Sequence, residues 1–140
     1  QRLGFDYCSD TRGTHPFLPV VDAELIASPQ IPTTLPTLEE LLARGETTLG
    51  DAASALVAQA AVLDAPCGHV YTVRAELDGM ALAPVFDQLL RTWRGGGFEF
   101  LGLGEYLQAA GASLPRHRVG YGRSDGCGTE SAFQGPEFLA

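Results

Sequence analysis

Two pairs of charged residues are the side chains of this sequence best placed to do chemistry: Asp10 with Arg12, and Arg74 with Glu76. Each pair lies at or just beyond the end of an apolar run, and polar residues at the carboxyl ends of strands commonly form the site of an α/β protein. A carboxylate can orient or exchange a proton there, and a guanidinium can stabilise developing negative charge. Structural interpretations stay open, because Asp10 suits a turn and Arg74 with Glu76 suits an ion pair on one strand face.

Other site chemistries find little support in the spacing of residues. Cys67 and His69 are the only close Cys/His pair, and neither His15 nor His117 has a second ligand three or four residues away, so no metal site is predicted. There is no Gly-x-Ser-x-Gly motif for a serine nucleophile. The glycines at 95–97 follow a predicted helix rather than a strand, which argues against a phosphate-binding loop. We interpret His15 as a structural or solvent-facing residue.

Composition argues against an ordinary nucleic-acid binder. The 140 residues carry 9 cationic side chains, all of them Arg, against 17 Asp and Glu, for a net charge of −8. Nucleic-acid binding and polybasic membrane anchors both need clustered cations, and the apolar stretch 52–63 is too short to span a bilayer. The widely spaced Cys8, Cys67 and Cys127 suggest a reducing compartment, so we expect a cytoplasmic protein. Because the sequence begins at Gln1, we also expect a longer parent protein.

Local signals divide the chain into alternating strands and helices. Thr37 and Glu40 form a predicted capping box for a helix that ends at Gly45. Apolar residues at i, i+3, i+4 and i+7 predict a helix over residues 82–93, with Pro84 in its first turn. The proline-rich stretch 16–36 cannot be helical. The remaining predicted elements are strands at 3–7, 69–76 and 98–101, helices at 49–63 (capped by Thr48) and 105–110, and an irregular Gly-rich chain beyond Leu114.

This alternation favours an α/β fold with parallel strands. In the strand predicted at 69–76, the period of two places Thr72, Arg74 and Glu76 on one face. An inward Arg and Glu would need partners, since an unpaired buried charge costs several kcal/mol. A cavity lined by Asp10 and Glu76 would supply them.

Three segments of the chain resemble the carboxyl-terminal half of ArnD-type deformylases, which belong to the NodB-type polysaccharide deacetylase family. They are residues 6–17 (DYCSDTRGTHPF), 29–37 (PQIPTTLPT) and 70–79 (VYTVRAELDG), and they occur in the family's order. Gly120, Gly122 and Gly128 fit the family more loosely. The resemblance implies the second half of a distorted (β/α) barrel. Residues 1–140 would then be the carboxyl-terminal part of one domain, with barrel elements at 1–114 and a Gly-rich tail at 115–140.

The resemblance also implies an activity, a substrate and a cofactor. Members of the family hydrolyse an N-acyl amide on an amino sugar, and the ArnD type removes a formyl group from aminoarabinose linked to undecaprenyl phosphate, in the pathway that modifies lipid A. Such an enzyme would work in the cytoplasm at the periphery of the inner membrane. A zinc-like divalent metal and an Asp base take part in the family's mechanism, but their ligands belong to amino-terminal motifs that nothing in this sequence matches.

Two residues of this chain take family positions. Asp10 falls where the family has the Asp that orients the catalytic acid, and Arg74 falls where it has the acid itself, a His. Arginine keeps its proton, with a pKa above about 12, so Arg74 could stabilise an oxyanion but could not act as a general acid. Arg12 and Glu76 would support the site or contact the substrate. We therefore expect this chain alone to be inactive.

Two other classes of function remain open. Arg74 favours a non-catalytic family member that binds a sugar or a lipid phosphate. The acidic composition also suits a structural protein that binds a partner protein. A half-barrel would leave an unpaired sheet edge, so we expect either an amino-terminal half in the parent protein or self-association.

Overall fold

Five strands and four α-helices make up the described part of this computed structural model, which covers residues 4–45, 47–123 and 130–139. The strands are β1 (Thr11–Arg12), β2 (Leu18–Val21), β3 (Glu24–Leu25), β4 (Arg116–Arg123) and β5 (Glu130–Glu137). The helices are α1 (Leu38–Ala43), α2 (Ala52–Val62), α3 (Ala83–Gly95) and α4 (Leu103–Ala109), and a π-helical turn over Leu77–Ala81 leads into α3.

The strands form one mixed sheet in the order β1-β5-β4-β2-β3. β1 runs parallel to β5 and β2 runs parallel to β4, whereas β4–β5 and β2–β3 are antiparallel pairs. The α/β class is therefore confirmed, but the expected parallel pairing holds only for β1–β5 and β2–β4. The arrangement of the elements as half of a barrel stays a prediction.

The centre of the sheet comes from the segment expected to be irregular, and that prediction is wrong. Residues beyond Leu114 form β4 and β5, whose glycines hid the strand pattern. A Cβ on Gly135 would lie 2.8 Å from the carbonyl oxygen of Arg118, and one on Gly122 would lie 3.5 Å from the ring of Phe133. Glycine inside a strand can mark such a close approach. Gly128 and Cys127 lie outside the described residues.

Two predicted strands are not paired as strands, and a third is absent from its described part. Residues 4–7 of the predicted strand at 3–7 form no strand, and residue 3 lies outside the description. Residues 70–74 and 98–101 carry no strand ladder. The first of these segments leads into a helical turn at Ala75 and Glu76, where the buried carboxylate of Asp78 accepts a hydrogen bond from the Arg74 amide at 2.7 Å.

The predicted helices are confirmed, with shifts of a few residues at their ends. Thr37 and Glu40 form the capping box: the Glu40 amide donates to Thr37 Oγ1 at 3.2 Å, and the Thr37 amide donates to Glu40 Oε2 at 2.9 Å. Gly45 has a φ of +68° just after α1, as a left-handed cap requires. Asp51, rather than the predicted Thr48, is the N-cap residue of α2, and Thr48 donates a hydrogen bond to its carboxylate.

Helices α1, α2 and α3 enclose the larger hydrophobic core, and a smaller core lies beside α4. Ala-rich α2 packs against both α1 and α3, because alanines let helix backbones approach closely. The larger core comprises Leu35, Leu38, Leu41, Ala52, Ala53, Leu56, Ala60, Leu82, Leu89 and Trp93. The smaller comprises Ile31, Val70 and Tyr106.

The three segments that resemble the deacetylase family lie side by side. Cys8 and Arg12 of the first segment form parallel bridges with Gln30 and Thr33 of the second. On the other side of the second segment, the amides of Thr34 and Leu35 donate to the Val70 carbonyl at 3.0 and 3.2 Å. The chain at 30–35, near the end of the proline-rich stretch, therefore joins the sheet to the helical layer.

Glu40 should be far more important for stability than its neighbour Glu39. Glu40 is 2% exposed, caps α1 and pairs with Arg12, whereas Glu39 is 41% exposed and pairs with Arg74, which is 46% exposed. We expect Glu40→Ala to lower the free energy of unfolding by about 2–3 kcal/mol, because a helix cap and a largely buried ion pair are lost together. Glu39→Ala should cost less than about 1 kcal/mol.

Urea unfolding of the 140-residue chain and the two variants measures the difference. Equal losses in the two variants would contradict the assignment of Glu40 as the stabilising carboxylate.

Candidate functional site

Two of the four predicted site residues, Arg12 and Arg74, are held by neighbouring carboxylates of α1. Arg12 donates from Nη1 to the Leu35 carbonyl at 3.1 Å and from Nη2 to Glu40 Oε1. Arg74 donates from Nη1 to Glu39 Oε2 at 2.5 Å. The first turn of α1 thus gathers two cations that lie far apart in the sequence.

Asp10 and Glu76 are not part of this arrangement. Both are exposed, and no hydrogen bond or ion pair within the described chain joins either one to Arg12 or Arg74. Asp10 precedes β1 instead of following a strand, and Glu76 starts the π-helical turn. Neither of the two cavities described below is lined by Asp10 or Glu76, and Arg74 pairs with Glu39 instead of with Glu76.

Arg12 also lines a cavity of about 300 Å³ that we call the arginine cavity. Arg44 from the end of α1 and Arg123 from the end of β4 line it too, and Thr33 and Thr34 add hydroxyl groups. Guanidinium groups match the planar oxygens of phosphate and carboxylate. In a chain of net charge −8, three arginines on one cavity favour an anionic ligand. Sequence reasoning missed Arg44 and Arg123, since nothing local links them to Arg12.

A second cavity, of about 350 Å³, is mainly aromatic and aliphatic. Tyr106 donates to the Gly68 carbonyl, and burial raises the pKa of its hydroxyl to about 12. Burial, and then the nearby Asp78 carboxylate, raise the pKa of Tyr71 well above its usual value. The indole Nε1 of Trp93 is buried and has no hydrogen-bond partner in the described part of the chain. Four half-exposed apolar residues also line this cavity: Val73, Phe98, Phe100 and Leu101.

His15 and His117 are in contact. Their Nε2 atoms lie 3.3 Å apart, and the rings meet edge to face with centroids 5.1 Å apart. Burial lowers the pKa of His15, His117 lowers it further, and the carboxylates of Asp64 and Glu137 oppose the shift. The two histidines are 102 residues apart in the sequence, so no spacing rule could have paired them.

The metal that the family resemblance implies does not fit the described residues. Within 4–45, 47–123 and 130–139, no three His, Cys, Asp or Glu side chains are grouped so that they could hold one ion. The structure therefore assigns no catalytic step to such a metal in this part of the chain. Over the same residues, no helix has both the length and the apolar character to cross a bilayer.

No protein-family model matches the chain, but individual proteins do. It is 35% identical over 120 residues to the probable 4-deoxy-4-formamido-L-arabinose-phosphoundecaprenol deformylase ArnD of Shewanella sediminis (strain HAW-EB3), a match that covers 85% of this chain and 37% of that protein. It is 29% identical over 119 residues to the protein of the same name from Wigglesworthia glossinidia brevipalpis, covering 85% of this chain and 41% of that protein.

This chain thus spans less than half the length of the two relatives. The matches confirm the resemblance drawn from the three sequence segments. Over 85% of its length, the chain is similar to proteins named as probable ArnD deformylases.

Proposed function

We propose that the chain is the carboxyl-terminal part of a hydrolase that removes an N-formyl or N-acyl group from a lipid-linked amino sugar in lipid A modification. The 35% identity over 120 residues to a protein named as a deformylase of this kind carries the proposal. The contact between the three family-like segments supports it, since they make up one continuous layer.

The arginine cavity has the chemistry to bind the phosphate that links such a sugar to its lipid. Arg12, Arg44 and Arg123 surround a space of about 300 Å³, and the hydroxyl groups of Thr33 and Thr34 lie beside them. Charge-assisted hydrogen bonds from guanidinium to phosphate are among the strongest polar contacts in proteins. Arg12 is oriented by Glu40 and by the Leu35 carbonyl, so its position is set before a ligand arrives.

Arg74 limits what this chain could contribute to the reaction. Its guanidinium could stabilise the oxygen that becomes negative when the amide is attacked. It could not protonate the departing amine, because arginine keeps its proton at any ordinary pH. Asp10, which would orient a histidine acid at position 74, is exposed and has no such acid beside it. We therefore infer that the isolated chain is inactive. The metal ligands and the catalytic base would have to come from residues outside this chain.

A non-catalytic role is the second candidate, and the pairing of Arg74 with Glu39 favours it. In that case the arginine cavity would bind a sugar phosphate or lipid phosphate without turnover. Asp10, Arg12, Arg74 and Glu76 would then be binding or supporting residues rather than catalytic ones.

The second cavity, of about 350 Å³, has an exposed apolar lining of the kind that a further protein segment would bury. Phe98, Phe100 and Val73 are each about half exposed, and Trp93 has a buried donor without an acceptor in the described chain. We propose that an amino-terminal half or a second copy covers this face, and that the parent protein lies in the cytoplasm at the periphery of the inner membrane. The proposed cover would be contradicted if the natural protein consisted of this chain alone and were a stably folded monomer.

Arg123 should contribute to anion binding, and Arg118 on the same strand should not. Arg123 lines the arginine cavity, whereas Arg118 lies over the ring of Phe138, 5.3 Å from its centroid. We expect Arg123→Gln to weaken binding of undecaprenyl phosphate in detergent micelles roughly tenfold, the value of one charge-assisted hydrogen bond. Arg118→Gln is the matched control and should bind like the unchanged chain.

Binding is measured by titration of the 140-residue chain, with undecaprenol, which lacks the phosphate, as the second control. Equal affinity for undecaprenyl phosphate and undecaprenol would show that the arginine cavity does not bind the phosphate. The similarity to the deformylases would stand either way.

Replacement of Arg74 by histidine in the full-length parent protein should raise the rate of deformylation by roughly 10²–10⁴-fold, the usual contribution of a general acid. Arg74→Gln also removes the ion pair with Glu39 but supplies no acid, so its rate should not rise above the starting level. Release of formate from the lipid-linked formamido sugar is the measurement. If the unchanged protein already turns over as fast as the Arg74→His variant, Arg74 does not limit the reaction.

A further inference from the structure

A bend at residues 13–15, between β1 and β2, is held against β5 by the side chain of Gln134. Gln134 Oε1 accepts from the Thr14 amide at 2.8 Å, and Gln134 Nε2 lies 3.0 Å from His15 Nε2. A Cβ on Gly13 would lie 2.7 Å from the Cβ of Gln134, so glycine is needed there for the side chain to come this close. One side chain thus contacts all three residues of the bend.

The Thr14 amide decides which way the Gln134 side chain points. A backbone N–H can only donate, so Oε1 must face it, and the Gln134 Nε2 group must donate to His15 Nε2. The neutral His15 ring therefore carries its proton on Nδ1, 2.9 Å from Thr14 Oγ1, and Gln134 uses the lone pair of Nε2. His117 Nε2 lies 3.3 Å from the same nitrogen. Because His117 Nδ1 donates to the Gly135 carbonyl at 2.8 Å, the neutral His117 ring has its lone pair on Nε2.

A single proton added between the two histidines displaces Gln134, whichever ring holds it. On His15 Nε2, the proton removes the lone pair; on His117 Nε2, it makes His117 a donor to the lone pair that Gln134 was using. Gln134 cannot turn round to compensate, because its NH₂ group would then face the Thr14 amide. We propose that His15, His117 and Gln134 form a proton-operated latch. Without the proton, Gln134 holds the bend through His15; with it, the two histidines join and the Gln134 amide is released.

The groups around His15 place the release of Gln134 on the acid side of neutrality. Burial lowers the pKa of His15 below its usual value of 6.5, and His117 lowers it further, whereas the carboxylates of Asp64, just after α2, and Glu137 on β5 oppose the shift. The folded chain therefore favours the neutral ring. The stability that the closed latch contributes is fully present above the usual pKa of 6.5 and is lost as the pH falls below it.

The latch borders the arginine cavity, and its consequence for that cavity rests on the proposed anion site. Gly13 and Phe133, which directly precede Thr14 and Gln134, both line the cavity, and Arg12 pairs with Phe133 in the ladder between β1 and β5. Release of the Gln134 amide removes a tie between these two walls. We therefore expect an anion to bind more tightly when the latch is closed.

Side-chain NMR spectra of the 140-residue chain, recorded as the pH is lowered from 8 to 5, test the latch itself. We expect the side-chain amide of Gln134 and the rings of His15 and His117 to shift with one shared midpoint. Gln134→Ala removes the competing donor, so it should raise the midpoint by about 0.5–1 pH unit, the equivalent of one ordinary hydrogen bond. Gln88→Ala, at an exposed position of α3, is the matched control and should leave the midpoint in place. The latch is wrong if the Gln134 amide does not follow the histidines, or if Gln134→Ala leaves their midpoint unchanged.

Titration with undecaprenyl phosphate in detergent micelles tests the coupling to the arginine cavity. One pH unit above the midpoint of the unchanged chain, Gln134→Ala should bind at least about threefold more weakly than that chain, and one unit below it the two should bind alike. Comparison at the same pH cancels the titration of the phosphate itself. An equal loss of affinity at both pH values would contradict the coupling, since Gln134 would then only support the fold. If neither chain prefers the phosphate to undecaprenol, the proposed anion site is wrong, and the NMR midpoints still decide the latch.

Discussion

The buried carboxylate of Glu40 is the interaction on which the arrangement of the molecule most depends. One of its oxygens accepts from the Thr37 amide and the other from Arg12, so a single side chain starts α1 and ties that helix to β1. A carboxylate that is 2% exposed needs both partners, because removing either leaves a buried charge or a buried amide unsatisfied. The same ion pair holds the Arg12 guanidinium at the wall of the arginine cavity. Stability and the candidate anion site therefore share one interaction.

The chain at 30–35 is hydrogen-bonded on both sides and connects the sheet to the helices. Proline at residue 32 cannot donate to a neighbour, yet the flanking amides do: Ile31 donates to the Cys8 carbonyl at 2.8 Å and Thr33 donates to the Thr11 carbonyl at 2.9 Å. On the other side, Thr34 binds both the amide and the carbonyl of Val70. The segment that carries no regular ladder is thus the one that fixes the spacing between sheet and helices, and with it the distance between Arg12 and Arg74.

What the sequence could predict follows from how local each signal is. The capping box of Thr37 and Glu40 and the apolar spacing in α3 lie within a few residues, and both were predicted correctly. β4 and β5 were missed because Gly135 is needed there for the close approach to the Arg118 carbonyl, and glycine ordinarily argues against a strand. The strand predicted from residue 69 does not form, and Asp78, four residues after Arg74, caps the helical turn that follows it. Contacts such as the histidine pair depend on sheet register, which no local pattern encodes.

The positions of the histidines bear on what this chain contributes to catalysis. His69 is the histidine nearest in sequence to Arg74, but both of its ring nitrogens are engaged, with the Ala60 carbonyl and with Thr34. It cannot take over the proton transfer that position 74 has lost without breaking those contacts. His15 and His117 contact each other at the sheet, beside β2 and β4 rather than α1. The chemistry that remains around α1 is that of fixed cations, which bind and stabilise anions but exchange no protons. Under the proposed function, this distribution of groups suits the binding of a substrate better than its transformation.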